Sequence, residues 1–546
     1  MSKEQQLELE GFIILYTPVY KYLGVDGLRW RGIEQYRILH SIPFDLLSPD
    51  GKTQLRQLRH KFPDYIVPTE PRISEGGSVG SPIPESTAKK MSNRSWLLAM
   101  QKYQNCQEHR DFLRGGAHQL STVLQKEIKE DPTRFYKLLQ QVPADVDDSY
   151  VRAYLNGIAE SDSTAEWLFD TVRHFSKQEG RDIKRSIALA LEKRIADGIT
   201  EDMVGLLLSY VHSEVGDDEL WWSKGEDHGD IYSSYLNSDR GSAFNVLMNH
   251  YVNDDEVSVD QRWELVEFAA SDESIALHIG AIHHLTYLIR CDRERAITLF
   301  EKLIIGHDVL LDSPYVREFI YWALYRNFLR LHPYIVGMLK RDLENTQNQG
   351  AQLACIAAIS KDVLESNEAV DVALNLAEQA IIGSLPQRRG AARIYSNNLT
   401  RSCDEMCEEK VIILLDDEDE QIQNEIGGIF SSMGIEHFLS FRLFIEIYAK
   451  KTRRLEKHFT EFMLEHGRLD PERTLHVINT LLDNQLWQDQ SYWHFGIDDL
   501  IRLVLQIYTS STVTEDIQEI AMDLFDRLMQ QFSGEAYKVL EEWDRR

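Results

Sequence analysis

Five apolar residues running into a string of acids, "VIILLDDEDE" at Val411–Glu420, have the composition of the strand that carries a magnesium-binding carboxylate in an ATPase. Such an acid works together with a phosphate loop, whose backbone N–H groups cradle the phosphates. The nearest match to that loop is "GKT", Gly51–Thr53. The motif requires glycine five positions before Gly51, and Leu46 stands there. "SPDGKTQL" reads instead as a Pro-Asp-Gly turn that starts a helix. Val411–Leu415 then closes a helix continuing from "CDEMCEEK", and "DDEDE" is the polar turn after it. Its carboxylates favour the N-terminus of the following helix through the helix dipole. The sequence points to no nucleotide chemistry and to no cofactor.

Other reactive residue types are sparse. Cys403 and Cys407 share a helical face, but no second Cys/His pair at zinc-like spacing follows, so they read as buried thiols. His283 and His284 are adjacent and point apart on a helix, which with His278 five residues upstream makes a poor chelate. HExxH, GxSxG and a Gly-rich dinucleotide loop are absent. The most varied stretch is "DELWWSKGEDHGD", where Trp221 and Trp222 stand beside Asp227, His228 and Asp230. A metal or catalytic role is one reading of it. Packed tryptophans in an inter-repeat loop, or a protein-binding patch, is the other. The chain reads as no enzyme, with no metal site.

The elements that would hold these residues are helical. "QLSTVLQKEIKEDPTRFYKLLQQV" has apolar residues at three- and four-residue steps, broken at Asp-Pro. "SIALALEKRIADGI", "ERAITLFEKLIIGH" and "QEIAMDLFDRLMQQF" follow the same rule, and strand-type alternation is almost missing. Phe62–Pro84 differs, with five of the chain's 14 prolines and three glycines in 23 residues. Proline removes helix hydrogen bonds and glycine admits unusual backbone angles, so this stretch is an irregular strap or linker. Helix restarts after it, with Ser92 or Asn93 as cap.

Polar turns then recur at Asp239, Asp272, Asp312, Gln347, Pro386 and Asp417, 33, 40, 35, 39 and 31 residues apart. That period is the signature of stacked helix pairs, each burying its face against its neighbours. The expected fold is an all-α, HEAT-like α-solenoid of antiparallel helix pairs. Its expected parts are an N-terminal helical segment (1–61), the Pro/Gly-rich strap (62–90), a helical domain leading into the array (91–230) and the repeat array (231–546).

With 88 acidic and 59 basic side chains the formal charge is −29, so the average surface repels nucleic acid and anionic lipid. The one dense basic stretch, "KKTRRLEKH" at Lys450–His458, has no aromatic residues for base stacking and reads as a solvated loop or helix end. No apolar run reaches the roughly 18–20 residues of a membrane span. Five cysteines fit a reducing cytoplasm better than a disulfide framework. The partner implied is a protein.

Several segments resemble the helical region of very large bacterial STAND-type NTPases, NACHT-like proteins of antiviral defence. They include "GGSVGSPIPESTAKKMSNRSWLLAMQKY", "NSDRGSAF", "SPYVREFIYWAL", "RRGAARIYSNNL" and "LIRLVLQIYTSSTVTEDIQEIAMDLFDRLM". The resemblance spans nearly all of residues 30–540 and lies within the sensor array, without the nucleotide-binding module. It implies a short version, a split-gene product or a fragment of such a protein. It also implies a sensor that binds a protein, phage-derived or an NTPase or effector subunit, and relays that event. The alternative is a structural adaptor of a cytoplasmic complex. The residues singled out for partner binding are Trp221, Trp222, Arg240, Arg388 and Arg389. The competing reading of the arginines is that they pair with the acidic turn of the neighbouring repeat.

Overall fold

The computed structural model describes residues 3–16, 31–63, 65, 79–104, 115–143, 145–178, 180, 182–214, 231–252, 256–402, 405–484 and 496–544. The chain divides into two compact units, Met1–Gly80 with Glu108–Gly115, and Ser81–Gln107 with Gly116–Arg546. Thirty α-helices, some linked by short 3-10 turns, form the regular structure of the described residues, which contain no β-strand. None of these helices is long and apolar enough to cross a membrane.

In the first unit, helices Lys3–Leu15, Ile33–Ser41 and Pro49–Lys61 close over a small core that includes Ile13, Tyr36, Leu39, Leu55 and Leu58. Ser48 caps the third of them, its Oγ accepting from the Gly51 N–H at 3.0 Å. Pro49 sits at the first helical position, where its missing N–H costs nothing. "SPDGKTQL" is therefore already helix from Pro49 rather than a turn ahead of one.

The second unit is built from helices whose main contacts reach no more than three helices along the chain. Ile275–Leu288 packs on Arg293–Ile304, the next helix, and on Pro314–Ala323, the one after it. Glu344–Ile359 meets Asn367–Ile382 and Leu385–Ser402 in the same way. Contact restricted to the next pair is what makes a helical repeat stack quasi-one-dimensional. The expected all-α stack of helix pairs is the fold observed.

Local chemistry sets the boundaries. Asp131 ends helix Ala117–Glu130 and caps helix Pro132–Leu139, its carboxylate accepting from the Arg134 N–H at 3.2 Å. Ser92 caps Asn93–Lys102. Ser238 caps the helix that Asp239 opens, and Ser274, Ser313 and Asp419 cap the helices after the turns at Asp272, Asp312 and Asp417, each satisfying an otherwise orphaned N–H. Of the expected strap, residues 64 and 66–78 lie outside the described residues; Pro84 caps the short helix Glu85–Ala88.

Three turn positions fall differently, and two of them, Asp239 and Pro386, are the first and second residues of helices Asp239–His250 and Leu385–Ser402. Gln347 lies inside helix Glu344–Ile359, not in a loop before it. The polar run that looks like a turn works from inside the helix: Gln347 Nε2 donates back to the Arg341 carbonyl in the preceding loop at 2.6 Å, and Asn348 Nδ2 donates across to the Pro386 carbonyl of helix Leu385–Ser402 at 3.0 Å.

This helix also joins two apolar cores. Leu353, Ala354 and Ala357 belong to the core that begins at Ala88, and Ala351, Cys355 and Ala358 to the one that ends at Val539. Covered on both flanks, it is made of small residues. Its neighbour approaches so closely that a Cβ on Gly390 would stand 2.4 Å from the Asn348 carbonyl oxygen.

Candidate functional site

The sequence-selected arginines all meet carboxylates. Arg240, fully inside the second unit, pairs with Asp272 and donates through Nε to the Val211 carbonyl at 3.0 Å. Arg388 pairs with Asp417, and Arg389 with Asp419 at 2.7 Å. Arg341 and Asp312 make a fourth such contact, with Thr346 Oγ1 donating to the same carboxylate at 2.8 Å. Each joins one repeat to the next. Trp221 and Trp222 lie outside the described residues.

The acidic motif belongs to this network. Val411 lies in helix Glu405–Leu414, and Asp419 caps the helix Glu420–Gly427, accepting from the Ile422 N–H at 3.1 Å. The basic run at Lys450 closes on the same turn: Lys451 pairs with Asp416 at 2.8 Å, Arg453 with Glu418 at 3.0 Å and Arg454 with Glu420 at 2.7 Å. The Arg389 guanidinium holds the Asp419 carboxyl below the usual carboxylate range. The other half of the nucleotide motif is filled as well. At the start of helix Pro49–Lys61, the 2% exposed Glu10 carboxylate accepts from the Ser48 N–H at 3.0 and 3.1 Å and from its hydroxyl at 2.7 Å. A phosphate entering there would have to displace that carboxylate.

The histidines are dispersed among separate partners. His278 Nε2 lies 2.9 Å from the Asp272 carbonyl, and His284 Nε2 lies 3.2 Å from Asn245 Oδ1. Burial pushes the pKa of both down, that of His284 to about 3. No group of three or more His, Cys, Asp or Glu among the described residues is placed to hold a metal ion.

What the structure does assemble is a face of tyrosine, tryptophan and arginine on successive helices. Tyr232, His283 and Tyr315, from helices Ile231–Asn237, Ile275–Leu288 and Pro314–Ala323, pack ring against ring, tilted with centroids 4.1 Å apart (Tyr232–Tyr315) and edge-on at 4.6 Å (His283–Tyr315). Tyr287 stands edge-on to His283 at 5.7 Å and is 54% exposed. On the other flank of Pro314–Ala323, Arg317 and Tyr321 face helices Glu344–Ile359 and Leu385–Ser402. Trp322, 51% exposed, lies 5.1 Å from the Tyr321 ring.

Arg317 is held from behind. Its guanidinium donates to Gln352 Oε1 at 3.0 Å, Gln352 Nε2 donates to Asn348 Oδ1 at 2.6 Å, and Asn348 donates to the Pro386 carbonyl. This relay crosses three helices and fixes the guanidinium at the edge of a cavity of about 420 Å³, lined also by Tyr325, Ile394 and Arg401. Sequence reasoning did not single out these residues. The available signal was spacing: Arg317 and Tyr321, then Arg393, Asn397 and Arg401, recur every fourth residue along one helix stripe.

The stack and this face define an all-α helical-repeat protein. No protein-family model matches the chain, and no curated protein matches it. Solved structures similar to the chain include two at 10% identity. One shows Kap95p binding inducing the switch loops of RanGDP to adopt the GTP-bound conformation (TM-score 0.36, covering 98% of this chain and 71% of that one). The other is yeast importin-beta, Kap95p (TM-score 0.37, covering 92% and 67%). At these scores the fold assignment rests on the chain's own helix contacts.

Proposed function

We propose that this chain is a non-catalytic recognition protein that captures a protein partner across helix Pro314–Ala323, on the surface to which Tyr287, Tyr315 and Trp322 contribute on one flank and Arg317 and Tyr321 on the other. The observation that carries this reading is two half-exposed aromatic rings, Tyr287 and Trp322, on packed helices, with a guanidinium pinned by the buried Gln352 amide on the other flank of the helix that bears Trp322. Tyr, Trp and Arg supply a disproportionate share of interface energy, and pre-organised side chains lose little entropy on binding. The charge of −29 favours a protein over a nucleic acid as partner. Trp221 and Trp222 remain part of the proposed binding surface. The carboxylate partners of Arg240, Arg388 and Arg389 favour a role in the stack.

The resemblance to STAND-type sensor arrays supplies the finer reading. In it the partner is a phage-derived protein met in the bacterial cytoplasm, and capture is relayed to an NTPase or effector in cis or trans. A stack in which each pair touches only the next suits such a relay. The test is a pull-down with the full chain from phage-infected and uninfected cells. A protein captured only after infection supports the sensor. A host protein captured equally from both makes the chain an adaptor, and capture of neither overturns recognition.

A further inference from the structure

Most arginines in the array are neutralised across repeats, as Arg240, Arg330, Arg341, Arg388 and Arg389 are. Arg317, Arg393 and Arg401 depart from this rule. Among the described residues none of the three forms an ion pair with a carboxylate, and the buried Arg317 Nε–H has no acceptor. Burial, and then the neighbouring Arg393 guanidinium, lowers the Arg317 pKa, while Tyr321 and Glu318 are the groups that oppose the shift. In a chain of net charge −29, three cations gathered with no carboxylate paired to them, Glu318 acting only from a distance, form a local reversal of the field.

We infer that the cavity between helices Pro314–Ala323, Glu344–Ile359 and Leu385–Ser402 takes a carboxylate side chain, Asp or Glu, from an acidic segment of the partner protein. This rests on the recognition role proposed above and names what that role recognises. A guanidinium fork matches a carboxylate in two parallel hydrogen bonds. The volume of about 420 Å³ holds a side chain with its stem, and Ile356, Ile359 and Ile394 line it with apolar surface for methylenes. The geometry selects against a compact dianion such as phosphate. Tyr321, Ile356, Ile359 and Arg401 lie in the last turns of their helices, where the dipole is negative and anion-binding N–H groups are absent. A second negative charge doubles that cost, and the apolar wall gives it nothing in return.

The experiment selects displayed random twelve-residue peptides on the full wild-type chain and on the Arg317→Met/Arg401→Met variant, with both melting temperatures measured. Selected peptides are expected to carry an acidic residue at one fixed position. They should bind the wild type at least tenfold more tightly than their Gln or Asn isosteres, and the variant no better than those isosteres bind wild type. Glutarate should compete with them and inorganic phosphate should not. If the variant unfolds, Arg393→Met replaces it, and weakened peptide binding at unchanged melting temperature supports the site. Peptides without an acidic position, or held equally by folded variant and wild type, overturn the site and leave the recognition role standing. Competition by phosphate instead of glutarate assigns the cavity to a phosphoryl group and overturns it too. Failure to select any peptide, while the pull-down above still captures a protein, removes this site alone.

Discussion

Arg240 and Asp272, 32 residues apart in the chain, meet in an ion pair whose guanidinium is 2% and whose carboxylate is 12% exposed. The arginine opens one second helix and the aspartate precedes the next, so the pair fixes the register between two repeats. A buried pair gains little over apolar contact, but leaving one partner behind unpaired is costly. Arg240→Met should lower stability by about 3–5 kcal/mol. The double variant Arg240→Met/Asp272→Leu should recover much of that loss, as read by urea unfolding. A single variant as stable as wild type would remove the pair from the account.

The turn at Asp416–Glu420 carries the same logic at higher exposure. Arg388→Glu/Arg389→Glu places like charges against Asp417 and Asp419, and the melting temperature should fall. Partner capture should weaken only in proportion to the folded protein lost. Capture abolished at an unchanged melting temperature would return both arginines to the binding surface.

These cases show what the sequence makes legible. Helix spacing, the Asp131-Pro132 break, the Ser92 cap and the acidic turns are local, and each is written within a few residues. The arginines stand out by their place beside those turns. Their partners lie 29 to 32 residues away, on the next repeat, and no local pattern selects among several acids there. The aromatic face is harder still. Tyr232, His283, Tyr315 and Arg317 sit on three helices, and each alone reads as an ordinary flank residue until the stack brings them together. Gln347 misleads for the opposite reason: a run of amides imitates a turn, while Gln347 bonds back to the Arg341 carbonyl and Asn348 across to the Pro386 carbonyl on the next helix pair.

Stability should fall in mild acid, with His284 contributing. Burial holds its folded pKa at about 3, against an ordinary value of 6.5. Between those values the unfolded chain binds the proton and the folded chain does not. The contribution is therefore complete above about pH 6.5 and is lost as the pH falls, by up to about 1.4 kcal/mol per pH unit. Partly buried Glu456 and Asp499, whose pKa values are raised by desolvation, act with the opposite sign, so the test is a difference. Urea midpoints from pH 6.5 to 5 should change less steeply in His284→Gln than in wild type. Equal slopes would place the acid sensitivity elsewhere.

In the first unit, a Cβ on Gly51 would stand 1.5 Å from Glu10 Oε1. Gly51→Ala must push that carboxylate from the Ser48 N–H and hydroxyl it accepts from. Breaking a buried, charge-assisted contact of this kind costs roughly 1–3 kcal/mol. Hydrogen exchange should report faster opening of Pro49–Lys61 with Ile497–Tyr508 unaffected. Unchanged exchange in the first unit would show that Glu10 moves aside freely.

The proposed partner-binding surface stands or falls on its exposed aromatic rings, Tyr287 and Trp322. The most direct measurement compares protein capture by the wild-type chain and by Tyr287→Ala/Trp322→Ala, with melting temperature as the control. Both rings are half exposed, so their removal should leave the melting temperature within a few degrees. Interface rings of this kind are worth about 2 kcal/mol or more each, so capture should fall at least tenfold. Undiminished capture by the folded double variant would contradict the account.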